Sequence, residues 1–138
     1  MPVRRGSVIK IVILVFVGGA LGAMLREFLM VLVPQGSRGF PLDILVANLV
    51  AAVLLGLIAT LRSRKVASDT VYALIGTGIT GGLSTFSSFA YGSAELMTRS
   101  KTSAVVALVY VVISLVLGYI AVIVGLRVGE QDWNSRKT

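Results

Sequence analysis

Nine consecutive residues, Gly81-Gly82-Leu83-Ser84-Thr85-Phe86-Ser87-Ser88-Phe89, gather two glycines, four hydroxyls and two aromatic rings. Each hydroxyl can donate one hydrogen bond and accept two. Phe86 and Phe89 are three residues apart and so share one helical face. With Gly76 and Gly78 just upstream, the run predicts that a helix breaks at its glycines, which lose the most backbone entropy on ordering. Elsewhere Asn48 interrupts an apolar stretch, and its amide is suited either to a bond across to another helix or to an anion. Tyr110, Ser114 and Gly118 follow at four-residue steps and fall on one face. Arg26 stands beside Glu27 near the end of another apolar run, where a cation must snorkel, pair locally, or sit at a subunit contact or pore mouth and draw anions in. The chain has no histidine and no cysteine, so the commonest general base and metal ligand, thiolate sites and disulfides are all missing. These groups are equipped to hold a small solute by hydrogen bonds, and the sequence reads as a non-enzyme.

The elements that carry these residues are set by lipid. Of 138 residues 56% are hydrophobic and only 14% charged, and the mean hydropathy is +0.92. The charges cluster between apolar stretches, as they do around membrane spans. Four segments reach the required length of about 20 residues: 8–33, 44–61, 71–94 and 104–126. Pro34, Gln35 and Gly36 are expected to stop the first. The apolar run that follows Met1 to Lys10 outlasts a signal-peptide core and has no small-residue cleavage site, so it reads as a retained span. Gly18, Gly19, Gly22 and Ala23 within it allow close helix packing. A break in the third span leaves carbonyls that lipid cannot satisfy, so it must lie against protein, water or an ion.

Short connections predict an all-α, up-and-down bundle, one membrane domain over 1–138, with a polar tail at 129–138 expected to fray. Nine Lys and Arg fall on the side of the termini, against four (Arg26, Arg38, Arg99 and Lys101) on the other. That bias favours cytoplasmic termini. The net charge of +7 is explained by anionic lipid headgroups, and no basic stripe with interleaved aromatics suggests nucleic acid.

The 81–89 run resembles the Gly-Gly-x-Thr-Thr-Phe-Ser-Thr-Phe signature of the Fluc family of small fluoride channels, also called CrcB, with Ser84 and Ser88 in place of two threonines. Gly18-Gly19-Ala20-Leu21-Gly22-Ala23-Met24-Leu25-Arg26 is similar to the family's first-helix pattern. Asn48 matches its second-helix asparagine, and Tyr110 with Ser114 resembles its polar track on the fourth. The resemblance implies a passive, fluoride-selective channel that relieves fluoride toxicity, multi-pass in the inner (plasma) membrane of a prokaryote. It implies a fluoride path along Asn48, Thr85, Phe86, Ser87, Phe89, Tyr110 and Ser114, in which hydroxyl and amide donors and ring edges replace water. It further implies an antiparallel homodimer with two pores, or a pair with a homologous subunit. A structural sodium ion would be held between the subunits by the backbone carbonyls of Gly81 and Ser84.

Three positions depart from the family pattern. Asp43-Ile44 stands where Gly-Thr is common, Glu95 comes six residues after Phe89, and Gly118 replaces a further hydroxyl. Two other classes fit the sequence less well. A small multidrug exporter needs an acid within the first span, whereas Glu27 lies toward its end beside Arg26. A non-transporting scaffold has no use for a broken, hydroxyl-rich helix.

Overall fold

The computed structural model describes residues 5–33, 40–99 and 101–135, with side chains at 6–33, 40–98 and 104–131. Helix α1 covers Arg5–Leu32 and α2 covers Leu42–Ser63. A rod over 69–83 follows, made of the turn α3 (Asp69–Val71), a π-helical stretch Tyr72–Ile79 and the turn α4 (Thr80–Leu83). Helices α5 (Phe86–Arg99) and α6 (Lys101–Ser135) complete the chain. Among the described residues there is no strand.

Three stretches, Gly6–Leu32, Leu42–Ser63 and Ala104–Gln131, are long and apolar enough to cross a membrane. At 1.5 Å per residue, α2 alone extends about 33 Å, against a hydrocarbon core of about 30 Å. The segment 71–94 is not one helix. Ser84 adopts an extended conformation (φ −75°, ψ 150°) between α4 and α5, and the two pieces are each only about 20 Å long.

The expected position of the break was Gly81-Gly82, yet both glycines are helical and the chain leaves the helix at Ser84 and Thr85. Packing explains the shift. A Cβ added at Gly82 would collide with the Gly19 carbonyl, and one at Gly22 with the Ile79 carbonyl, so these glycines let α1 and the rod touch backbone to backbone. The widened π turns upstream are held by Thr80, whose N–H and hydroxyl both donate to the Ile75 carbonyl, the latter at 2.9 Å.

Glycine contacts also fix the helix directions. Gly18 meets Leu74 and Gly22 meets Ile79, so α1 and the rod run parallel; Gly125 meets Val53 and Gly129 meets Thr60, so α2 and α6 do too. Gly76 lies by Ile58 while Asn48 bonds Thr85, which makes the rod antiparallel to α2. The bundle is therefore up-and-down, with the start of α1, the 64–68 turn and the end of α6 at one end. Thr60 Oγ1 donates to both Gly56 and Leu126 carbonyls (3.2 and 3.3 Å), tying α2 to α6. At that end α2 closes with Lys65 at φ 60°, Lys65 N–H bonding the Arg62 carbonyl and Val66 N–H the Leu61 carbonyl, a Schellman arrangement. Arg62 pairs with Asp69 at 3.0 Å and lies 4.3 Å over the Tyr72 ring.

Helix α6 continues through the tail expected to fray, as far as Ser135, with Gly129 packed on Thr60 and Glu130 4.0 Å from Arg64. The stop at Pro34, Gln35 and Gly36, Arg38, residues 136–138 and the side chains of Arg99 and Lys101 lie outside the described residues.

Gly125→Ala forces a methyl group into the Val53 carbonyl, whereas Gly118→Ala meets nothing within 4 Å. Unfolding in detergent should show Gly125→Ala destabilised by about 1–3 kcal/mol and Gly118→Ala unchanged or slightly stabilised. Equal effects would remove the close α2–α6 contact from this account.

Candidate functional site

The interruption is organised by one side chain. Asn48 Oδ1 accepts from the Thr85 N–H at 2.7 Å, and Asn48 Nδ2 donates to the Thr85 carbonyl at 3.3 Å. Both polar groups of a non-helical, buried peptide are thereby satisfied, where leaving either bare would cost about 1–3 kcal/mol. Of the two uses open to Asn48 in the sequence, the interhelical bond is present, and among the described residues one of its two amide protons remains uncommitted.

Thr85 also caps α5. Its Oγ1 accepts from Ser88 N–H at 3.1 Å and donates to Ser88 Oγ at 2.9 Å, with Ser87 Oγ 3.3 Å away. These two diversions have a consequence for the backbone. In a continuous helix Thr85 N–H would bond the Gly81 carbonyl and Ser88 N–H the Ser84 carbonyl. Here the first goes to Asn48 and the second to the Thr85 hydroxyl, so the Gly81 and Ser84 carbonyls lose their helical donors. Both residues are exposed on this chain.

Beside the break lies a cavity of about 380 Å³, whose lining includes Asn48, Ser84, Thr85, Phe86, Phe89 and Ser114. Phe86 and Phe89 stand with centroids 6.1 Å apart. Phe86 is 81% exposed. Tyr110 is fully buried behind Phe89, 5.4 Å between centroids, and Phe40 meets it edge-on at 5.1 Å. The Tyr110 hydroxyl and Ser114 Oγ are buried one helical turn apart and interact with each other, but among the described residues neither makes a hydrogen bond of good geometry. Such under-satisfied groups are uncommon and are candidates for an unseen partner.

Ser87 lies apart from this group, in a second cavity of about 590 Å³ whose lining includes Asp43, Ser88, Tyr91 and Glu95. Arg26 lines neither cavity; it is paired with Glu27 at 3.4 Å, the local arrangement among those its position allowed. Ser88 and Asp43 are not among the path residues that the resemblance implies. The spacing of Thr85 and Ser88 marks a helix N-terminus and was the available signal for the first. For the second, a lone acid opening an apolar span was visible, but no pattern gave it a task.

Because the Asn48 bonds hold the break together, Asn48→Ala should destabilise the protein by about 2–4 kcal/mol in detergent unfolding, while Ser114→Ala, which removes a hydroxyl whose contact with Tyr110 falls short of good hydrogen-bond geometry, should change it by less than about 1 kcal/mol.

A family model described as CrcB-like protein, Camphor Resistance (CrcB), matches residues 13–126. The chain is 53% identical over 124 residues to a Brucella abortus protein named fluoride-specific ion channel FluC 1, covering 90% of this chain and 46% of that one. It is 50% identical over 123 residues to fluoride-specific ion channel FluC 3 of Yersinia pseudotuberculosis, covering 89% and 91%. A Methanopyrus kandleri protein named fluoride-specific ion channel FluC is 38% identical over 124 residues, covering 88% and 91%. This chain thus spans about half the length of the Brucella relative and nearly all of the other two. The match runs from α1 into α6 and takes in every residue of the interruption, and on that ground the chain belongs to the CrcB family.

Proposed function

We propose that this chain is a subunit of a passive fluoride channel. What carries the reading is the interruption at Ser84-Thr85, where Asn48, Ser114 and the rings of Phe86 and Phe89 line one cavity, together with the names of the relatives as fluoride-specific ion channels. Fluoride is small and strongly hydrated, so a path through hydrocarbon must supply donors in place of water. The free amide proton of Asn48 and the hydroxyls of Tyr110 and Ser114 are such donors, and Thr85 and Ser87 add to them at the turn. The edges of Phe86 and Phe89 carry the positive part of the ring quadrupole and attract an anion weakly. Weak sites in series let the ion leave as well as arrive, which conduction requires.

The rod and α5 together form the third crossing, broken at membrane depth. Two copies pair in antiparallel fashion, covering the apolar ring of Phe86 and closing two pores. The Gly81 and Ser84 carbonyls, deprived of helical donors and exposed, suit a sodium ion shared with the other subunit. Bound there, that ion would supply positive charge that joins the subunits and favours anions nearby. The protein lies in the inner membrane, and in an antiparallel pair the termini of one subunit are cytoplasmic and those of the other lie outside, which the modest bias of nine basic residues against four permits.

In liposomes loaded with fluoride, the wild type should release it quickly without ATP or a proton gradient, and chloride should stay behind. Phe86→Ile should slow release by more than about tenfold at equal reconstitution, because an aliphatic side chain has no quadrupole to offer. Chloride crossing as readily as fluoride would defeat the reading.

A further inference from the structure

Asp43 is 4% exposed, its Oδ1 has no hydrogen-bond partner, and it lines the larger cavity together with Ser87 and Ser88. The ion pairs among the described residues are Arg26–Glu27, Arg62–Asp69 and Arg64–Glu130, so none of them cancels this carboxylate. It stands in the first turn of α2. Asn48 follows five residues later on the same helix, about 7.5 Å along the axis. The two cavities meet at one turn: Thr85 lines the smaller, Ser87 and Ser88 line the larger, and hydrogen bonds link all three hydroxyls. Asp43 thus lines the cavity that an anion leaving Asn48 by way of this turn would enter.

We propose that Asp43 is the rate-setting charge of the path: its carboxylate repels the anion at the mouth beside α2, and cations entering the open cavity relieve that repulsion. The inference rests on the channel reading above. Like charges interact strongly where water is scarce, and mobile counterions weaken the effect wherever solvent reaches.

Fluoride efflux from liposomes tests this with wild type, Asp43→Asn and Asp43→Ser, each reconstituted at equal, gel-filtration-verified amounts. The external medium is either low in salt or rich in N-methylglucamine isethionate, with osmolarity held by sucrose. Both variants should conduct about threefold to tenfold faster than wild type at low salt. Added salt should accelerate wild type markedly and the variants much less, since Glu95 still lines the cavity. Variants that match or lag a conducting wild type, or that keep its salt response, overturn the proposal. A wild type that passes no fluoride at all overturns the channel reading instead.

Discussion

The paired hydrogen bonds between the Asn48 carboxamide and the Thr85 peptide are the constraint on which the rest depends. Lipid offers nothing to a backbone that leaves the helix, so an interruption persists only where protein supplies partners. Asn48 supplies both, and it does so from α2, a helix whose own bonds are undisturbed. By taking the Thr85 N–H it ends the preceding helix. By fixing Thr85 it sets the residue that caps α5 and leaves the Gly81 and Ser84 carbonyls without their usual donors. One side chain thus orders the turn that carries Phe86, Ser87, Ser88 and Phe89.

That bridge forms only if α2 lies at the right height beside the rod, and height is set by glycines. Gly22 and Gly82 bring α1 and the rod to backbone contact, while Gly56 and Gly125 do the same for α2 and α6. Between apolar helices in lipid the hydrophobic effect contributes little, so close packing and the Thr60 hydroxyl fix the relative positions. The result is two parallel pairs, with the buried ring of Tyr110 on α6 held against Phe89 of α5 and Phe40 before α2.

Much of this was legible in the sequence because its causes are local. Hydropathy located α1, α2 and α6 to within a few residues at most ends, and the small-residue spacing in α1 marked the packing face. The extension of α6 to Ser135 escapes a hydropathy reading because its last turns are polar, and what holds them comes from Thr60 and Arg64, far earlier in the chain. The glycines drew attention to the correct segment but to the wrong residues, since a glycine that loosens a helix and one that lets two helices touch look alike in sequence. Only the partner backbone distinguishes them. Likewise Asn48 and Thr85 both stood out, but their bond, spanning 37 residues, could not be read from spacing.

The claim at the centre is that the turn after Leu83 meets water within the membrane. The chain contains no cysteine, which permits a direct measurement: single cysteines at Ser87 and at Leu108, an exposed position on α6, challenged in proteoliposomes with a charged, membrane-impermeant thiol reagent. The account predicts rapid modification of Ser87→Cys and none of Leu108→Cys until detergent is added. If Ser87→Cys is as silent as Leu108→Cys, the turn is sheathed in acyl chains and no aqueous route reaches it.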